Sequence, residues 1–393
     1  MLLPPELIDH IFSFLQGDIL ALKACSEVHP LYSRLAEPHL YSHIVFKPPR
    51  TEICIHILQN TRLLDYPRTL DIRTSSFDKL CPVLLSLMTM IPRMVNLVSL
   101  TIQDLPMCVK YHSVFRRCLQ QSSFQQLSLL NNYGFPLSIL DGAKNIKHLT
   151  LSYCTTDRDQ PAPGLPSSQL SLETLILRGV YHANFHCWVM RWVTHLTTLE
   201  ILGLAIYNTA ELLATCSNSL TRLHLSLRNC CMSFLSIYNS SNLLISINLV
   251  NENFKIPFIT LSALMRLKRL TISAYLSSTN REYDEYDEWP LPDIIRIIKT
   301  APAIQEVDLQ FYFCGIHSTS SLVRLDWSPF GHLQSSFTGT RPRINLCVTS
   351  ESRITGPFSP ESILDALMKI DVLMDSVERG LVVLKSLLVL SHL

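Results

Sequence analysis

A short apolar phrase recurs along most of this chain of 393 residues. Each copy reads apolar-x-x-Leu-x-Leu, with isoleucine or valine sometimes in place of a leucine. From Leu100 onward, the steps between the middle residues of successive copies are 27, 22, 26, 24, 24, 24, 23 and 37 residues. Alternating apolar and polar residues indicate a short strand with one buried face, and a period in the twenties indicates one structural unit per copy. The middle residues are Leu100, Leu127, Leu149, Leu175, Leu199, Leu223, Ile247, Leu270 and Val307, with a weaker copy at Leu70-x-Ile72 and a possible last one at Ile344-x-Leu346.

One strand with its return segment cannot bury its own apolar face, so neighbouring copies must stack and share a continuous core. The return segments 207–216 and 259–265 have the composition and spacing of helices. We therefore predict an α/β solenoid, with parallel strands on its concave side and helices on its convex side. An all-helical solenoid is the alternative, and the many two-residue alternations count against it.

Three stretches interrupt the period. Residues 157–168 are rich in proline and form a loop by composition, residues 281–289 account for the step of 37, and residues 328–343 are polar and turn-rich. The last segment opens with Ser359 as a helix cap, followed by a proline that fits the first turn. It predicts a helical cap over residues 351–393.

The first 46 residues have a different pattern, which predicts three short helices. Leu7, Ile8 and Ile11 recur at helical steps after a pair of prolines. Gly17 and Asp18 break this helix, and Asp18 can cap the next one. So short a module cannot build a well-insulated core. Its surplus of apolar side chains therefore predicts a surface that docks another protein.

The order of these residues resembles the F-box, especially the form common in fungal proteins. The similarity covers Leu-Pro-Pro-Glu-Leu-Ile at residues 3–8, Asp-Ile-Leu at 18–20 and Pro-x-Leu-Tyr at 38–41. It implies binding to a Skp-type adaptor, which joins F-box proteins to a cullin–RING ubiquitin ligase. Many F-boxes have a tryptophan in the third helix, where this chain has residues 29–32, His-Pro-Leu-Tyr. The adaptor-facing positions that the resemblance implies are Leu3, Pro4, Leu7, Ile8, Ile11, Leu15, Leu20 and Leu22.

The repeats resemble an irregular leucine-rich repeat array of the kind fused to F-boxes. That family often places Asn or Cys three residues after the second leucine, where the side chain satisfies turn amides. Asn132 and Cys154 hold this position here, whereas Leu105, Val180, Arg228, Glu252 and Tyr275 do not. We therefore expect an F-box at 1–46, a helical linker at 47–66, the repeat array at 67–350 and the helical cap at 351–393.

Composition excludes several other classes of function. A net charge of +1 provides no basic groove for nucleic acid or for an acidic membrane surface. The sequence has no run of eighteen apolar residues, so no membrane span is predicted. The amino-terminal segment lacks the features of a signal peptide, so we expect a cytoplasmic or nuclear protein with reduced cysteines.

Catalytic and metal motifs are also missing from the sequence. His182, His186 and Cys187 have a zinc-like spacing, but their neighbours are typical of a packed helix, and no complementary pair is close in sequence. No nucleophile elbow, phosphate loop or dinucleotide fingerprint occurs. We therefore predict a non-enzymatic protein without cofactor or metal.

Client recognition is predicted on the polar positions that alternate with the buried leucines. The positions chosen are Arg178, Glu200, His224, Asn248 and Asp308. A second candidate is segment 282–289, in which five carboxylates alternate with aromatic residues; it is either a solvated loop or a contact for a basic client segment. Together these patterns predict the substrate-recognition subunit of an SCF-type cullin–RING ubiquitin ligase. The alternatives are a repeat scaffold acting outside a ligase, and a small-ligand sensor.

Overall fold

In the computed structural model, the chain folds into two compact units, Met1–Leu196 (unit 1) and Thr197–Leu393 (unit 2). The division falls inside the predicted repeat array. The residues that the structure describes are 3–47, 52–74, 82–105, 109–132, 134–140, 143–155, 171–179, 189, 192–193, 195–202, 209–228, 261–277, 291–314, 319–333, 342–351, 360–380 and 382–386.

Unit 1 begins with a bundle of three helices: α1 (Pro5–Phe14), α2 (Ile19–Val28) and α3 (Pro30–Leu40). The predicted cap at Asp18 is confirmed, because its carboxylate accepts a hydrogen bond of 2.9 Å from the Ala21 amide. Helix α3 packs against both α1 and α2. The bundle core consists of Ile8, Phe12, Leu22 and Ala36.

The rest of unit 1 is built from parallel strands that pair in chain order. Each strand buries its alternate leucines or isoleucines, which confirms the predicted strand repeat in this unit. The strands are β1 (His43–Phe46), β2 (Thr69–Arg73), β3 (Ser99–Gln103), β4 (Gln126–Leu130), β5 (His148–Ser152) and β6 (Thr174–Arg178). The segments between them contain α4 (Glu52–Gln59), α5 (Pro82–Met90), α6 (Val109–Leu119) and the 3-10 helices Thr61–Asp65, Ile91–Arg93 and Leu137–Leu140.

Unit 2 continues the same pattern with longer strands. Its described strands also run parallel and pair in chain order. They are β7 (Thr198–Leu202), β8 (Arg222–Arg228), β9 (Arg269–Ser277), β10 (Glu306–Cys314), β11 (Arg343–Glu351) and β12 (Val382–Ser386). The helices between them are α7 (Thr209–Thr215), α8 (Leu291–Lys299), α9 (Thr319–Arg324), α10 (Ser328–Leu333), α11 (Pro360–Leu367) and α12 (Asp371–Glu378). Both units are therefore α/β, as predicted.

One backbone device recurs at the start of the strands in both units. The carbonyl just before a strand accepts hydrogen bonds from two successive amides of the next repeat. The Val98 carbonyl, for example, accepts from the Gln125 and Gln126 amides at 2.9 Å, and the Thr221 carbonyl accepts from Lys268 and Arg269 at 3.0 and 3.2 Å. Each repeat therefore sets the position of its successor.

A second backbone feature recurs at the strand ends of unit 1. Asp104, Asn131, Tyr153 and Gly179 each directly follow a strand and have φ between 52° and 58°. This left-handed conformation is unfavourable for residues with a side chain, so the surrounding contacts must hold it. For Asp104, Asn131 and Tyr153, the amide donates to the last carbonyl of the following strand, at 2.6 to 2.9 Å.

Asn132 satisfies a turn amide, as predicted for its position, whereas Cys154 bonds to strand carbonyls. Asn132 is fully buried; its side-chain oxygen accepts from the Leu105 amide at 3.2 Å, and its nitrogen donates to the Ile102 and Leu130 carbonyls at 2.7 and 3.0 Å. The Cys154 thiol donates to two strand carbonyls, both at 3.3 Å. Each side chain thereby ties one turn to the preceding repeat.

Four details differ from the sequence predictions. Residues 261–265 form turns rather than the predicted helix, with the Leu264 and Met265 amides donating to the Leu261 and Ala263 carbonyls. Segment 328–343 contains helix α10. Residues 43–46 form β1 and join the sheet of unit 1, and residues 382–386 form β12, so the carboxyl-terminal segment is not purely helical.

Candidate interaction surfaces

Helix α1 has one apolar face directed inward and another directed outward. Ile8 and Phe12 are each 3% exposed and pack among side chains of α2 and α3. Leu7 and Ile11 precede them by one position and are 49% and 45% exposed. Since residues four apart lie on the same side of a helix, Leu7 and Ile11 form an outward apolar stripe beside the buried one.

Further exposed apolar side chains lie at both ends of α1 and on α2. These side chains are at least half exposed: Leu3, Phe14, Ile19, Leu20 and Val28. With Leu7 and Ile11 they make up seven of the fourteen exposed large apolar residues in the described chain, within its first 28 residues. Single exposed apolar residues are normal on any protein, but such a concentration marks a contact surface. We call these seven residues the amino-terminal apolar surface.

Part of the predicted adaptor set occupies a different place. Ile8 and Leu22 are buried in the bundle core, so the prediction that these two face a partner is wrong. Leu15 is partly buried and packs against the same core. The bundle uses them to build its own interior. Leu3, Pro4, Leu7, Ile11 and Leu20 are exposed as predicted.

Sequence reasoning missed Phe14, Ile19 and Val28. Phe14 follows Ile11 by three residues and therefore continues the outward stripe of α1. Its ring makes an edge contact with His10 at a centroid distance of 4.8 Å and remains 76% exposed. The helical period alone could have identified this residue.

Two contacts fix the bundle to the first repeats of unit 1. Arg62, in a 3-10 helix, donates to Glu37 of α3 at 2.8 Å. The ring of Tyr41 stacks on His56 of α4 with centroids 5.8 Å apart. Burial and the nearby Glu37 carboxylate raise the pKa of Tyr41. The bundle is therefore held at its α3 end, away from the exposed stripe of α1.

The outward positions of the unit 1 strands are mostly small and neutral. Across neighbouring strands, the residues between the buried leucines are Asp71, Thr101, Ser128, Thr150 and Ile176. Asp71 is the one carboxylate in this row; Arg73 pairs with one of its oxygens and donates to it at 2.8 Å through Nε. That hydrogen bond is the main reason why the pKa of Arg73 is raised.

The outward positions of unit 2 carry a polar network. His224 lies 3.6 Å from the Glu200 carboxylate and 2.8 Å from the Ser273 hydroxyl, which donates in turn to Gln310 at 2.8 Å. These groups come from β7, β8, β9 and β10. The predicted residues Glu200 and His224 are therefore direct neighbours across β7 and β8.

A second branch of this network is centred on Asp308. Its carboxylate accepts from Arg269 at 2.9 Å and from the Asn345 amide at 2.7 Å, and that same amide donates to Glu306 at 3.0 Å. The hydrogen bond with Asp308 is the main reason why the pKa of Arg269 is raised. The carboxylates of this branch thus already have partners within the protein.

Two of the predicted client residues need separate comment. Arg178 is not the residue between the two buried leucines of its strand. In β6 that position is held by Ile176, and Arg178 is the next outward position, opposite Ser152. Arg178 is exposed, as predicted for a position that alternates with the buried leucines. Asn248 lies outside the described residues, as do segment 282–289 and the group of His182, His186 and Cys187.

The cysteines of the described region are mostly buried and behave as apolar groups. Burial raises the pKa of Cys54 and Cys216 to about 11 and that of Cys118 to about 12. A thiol with so high a pKa is not ionised near neutral pH and is a poor nucleophile. Within the described residues, no three His, Cys, Asp or Glu side chains are grouped to hold a metal ion. No helix in that same part of the chain is long and apolar enough to cross a bilayer.

No protein-family model matches the chain, and the curated proteins include no significant match to it.

Proposed function

We propose that this chain is the substrate-recognition subunit of an SCF-type cullin–RING ubiquitin ligase. The observation that supports the proposal most is the amino-terminal apolar surface, which is exposed although the same bundle buries a separate core. In the proposed role, this surface docks a Skp-type adaptor, as the resemblance of roughly residues 2–46 to the F-box implies.

The energetics favour a partner for this surface. Burying apolar area contributes about 25 cal/mol for each Å², so a fully buried leucine or phenylalanine side chain contributes about 1.5–3 kcal/mol. Covering the exposed parts of these seven side chains would favour association and offset the loss of rotational and translational freedom. Phe14 and Leu20, which are the most exposed of the seven, are the candidates for central anchors.

The proposed mechanism requires no catalytic residue in this chain. The bundle binds the adaptor, and the repeats bind a client protein, so that the client is held close to the ligase. Tethering converts the encounter of client and transferring enzyme into a step with a high effective concentration. The contacts from Arg62 and Tyr41 that fix the bundle to the first repeats support such a tether, because a loose joint would lower that concentration.

The test is co-purification of the full chain with a recombinant Skp-type adaptor, followed by titration calorimetry. The variant Leu7→Asp/Ile11→Asp places two carboxylates on the outward stripe and leaves the bundle core intact. Each change removes an apolar contact and buries a charge at the interface. We expect each to cost about 2 kcal/mol or more, which is about 30-fold in Kd.

The matched control is Val95→Asp/Met265→Asp. Val95 and Met265 are 56% and 65% exposed, so this control makes the same chemical change at exposed apolar positions of the repeats. It should bind the adaptor as the unchanged chain does. Failure of the unchanged chain to bind any Skp-type adaptor, or equal loss in both variants, contradicts the proposed function.

A further inference from the structure

The outward side of unit 2 carries a row of arginines at the beginning of its strands. Arg222 of β8, Arg269 of β9, Glu306 of β10 and Arg343 of β11 are direct neighbours in the parallel register. All three arginines are exposed. From this row we propose that the outward face of β8–β11 binds an acidic, extended segment of the client protein. The inference rests on the proposed function, because it assigns the class of client that the repeats recruit.

The charges in this row are not balanced by the protein itself. Arg269 is paired with Asp308 at 2.9 Å and with Glu306 at 3.5 Å. Arg222 and Arg343, on either side of this cluster, form no ion pair with any acidic residue of the described chain. Two guanidinium groups are therefore available to a ligand.

The nearby carboxylates do not cancel the attraction for an acidic ligand. Asp308 and Glu306 both accept hydrogen bonds from Asn345, and both pair with Arg269. Glu200 is neighboured by His224 at 3.6 Å. Each acid thus has a partner inside the network, whereas Arg222 and Arg343 form no ion pair there and are exposed to solvent.

The spacing of the two free arginines defines the ligand further. They are separated by three strand intervals, which corresponds to about 14 Å across the sheet. An extended peptide rises about 3.3 Å per residue, so two acidic groups about four residues apart can reach both guanidinium groups. Arginine is suited to such contacts, because its planar fork binds carboxylates and phosphates through two hydrogen bonds.

A protein segment fits this surface better than a nucleic acid does. A polyanion would need many cations along its whole length, whereas this face alternates arginines with Glu200, Glu306 and Asp308. Discrete acids at a defined spacing match discrete arginines, and the intervening carboxylates would repel additional negative charge.

The test is fluorescence anisotropy on the full chain at low and moderate salt. The probe is a fluorescein-labelled Gly/Ser peptide of about twelve residues with two glutamates about four residues apart. A second probe replaces both glutamates by glutamine, and a third is a labelled single-stranded RNA of similar length. We expect the glutamate peptide to bind in a salt-sensitive manner and the glutamine peptide to bind about tenfold more weakly or worse.

The variant Arg222→Glu/Arg343→Glu should abolish peptide binding. Its control is Arg116→Glu/Arg117→Glu on α6, which changes the net charge equally at two exposed arginines of unit 1. Equal loss in both variants would overturn the proposal, since it would mean that only the overall charge matters. Tighter binding of the RNA than of the glutamate peptide would overturn it as well.

Adaptor binding of the same variants separates this inference from the proposed function. If Arg222→Glu/Arg343→Glu still binds the adaptor and loses the peptide, both proposals stand. If the unchanged chain binds the peptide and no adaptor, the acidic-segment site stands and the ligase role fails. If the unchanged chain binds the adaptor and no acidic peptide, the ligase role stands and the acidic-segment site fails.

Discussion

The repeats of unit 1 and unit 2 start their strands in the same way and end them differently. In both units, one carbonyl before the strand accepts two amides of the next repeat, and alternate leucines point into the core. In unit 1, however, strands β2–β6 have five residues each. All of these except β2 are directly followed by a residue in the left-handed conformation. In unit 2, strands β9–β11 have nine residues each. The inward leucines therefore determine the fold, while the residues after the second leucine determine strand length.

The difference can be traced to single side chains. Three residues after the second leucine, unit 1 has Asn132 and Cys154, whose side chains bond to backbone groups of the preceding repeat. At the same position unit 2 has Arg228 and Tyr275, both of which lie within strands. In unit 2 the backbone groups of Arg228 and Tyr275 belong to a longer strand ladder instead.

The largest expected effect concerns the buried leucines of the strands, which both units share. Leu149→Ala in β5 and Leu270→Ala in β9 each remove a side chain that is at most 1% exposed. Each should lower the free energy of unfolding by about 3–5 kcal/mol, through lost burial and the cavity left behind. Urea unfolding gives the value, and hydrogen exchange shows which unit is affected.

The conservative changes Leu149→Met and Leu270→Met are the controls, and each should cost less than about 1.5 kcal/mol. A cost near zero for either alanine variant would contradict the equivalence of the two inward faces.

A smaller effect is expected at the turn that distinguishes unit 1. Asn132→Ala removes three hydrogen bonds of 2.7 to 3.2 Å. The Leu105 amide loses its side-chain partner and the Ile102 carbonyl loses a donor, whereas the Leu130 carbonyl keeps the Asp104 amide. Leaving such groups unsatisfied should cost about 3 kcal/mol in total. Urea unfolding measures the loss, and faster amide exchange at Leu105 should accompany it.

The control for this variant is Asn96→Ala. Asn96 is exposed and donates one hydrogen bond to the Asp65 carbonyl at 2.7 Å. It should cost about 1 kcal/mol or less, since water replaces the lost partner. If Asn132→Ala were as mild as this control, Asn132 would not be what ends the strand.

Much of this architecture could be predicted from the repeat. The period located the strands that are described, from Leu70 to Leu346, because burying one face of a short strand requires an alternating pattern. It missed β1 and β12, since His43–Phe46 and Val382–Ser386 lack the full phrase and are recognisable as strands only by pairing with a neighbour. Pairing across strands is a tertiary property.

The candidate surfaces were predicted less completely. On α1, the helical period placed Leu7 and Ile11 correctly with respect to each other, but it could not decide which of two adjacent apolar stripes would be buried. That choice depends on where α3 packs. The arginine row of unit 2 depends on the pairing register of segments that are distant in sequence. Strands β9 and β10 lie between β8 and β11 and align Arg222 with Arg343 in one row.

The smallest expected effect concerns the close approach of Gly179 and Tyr153 at the end of unit 1 strands β6 and β5. Gly179 has φ of 53°, and a Cβ added there would lie 2.7 Å from Cδ1 of the Tyr153 ring. Gly179→Ala therefore combines backbone strain with a steric clash, and should lower the free energy of unfolding by about 1–2 kcal/mol.

A double-mutant cycle separates the two causes. The Tyr153 ring is 48% exposed and can move aside, so the clash should be the smaller part. In a Tyr153→Ala background, Gly179→Ala should cost about 1 kcal/mol, the value for a left-handed alanine alone. Gly380→Ala is the matched control, because Gly380 has φ of 68° and nothing within 4 Å of its added Cβ. If Gly179→Ala cost no more than Gly380→Ala in the unchanged chain, the Tyr153 contact would contribute nothing. The left-handed turn that ends the unit 1 strands would then be limited by backbone strain alone.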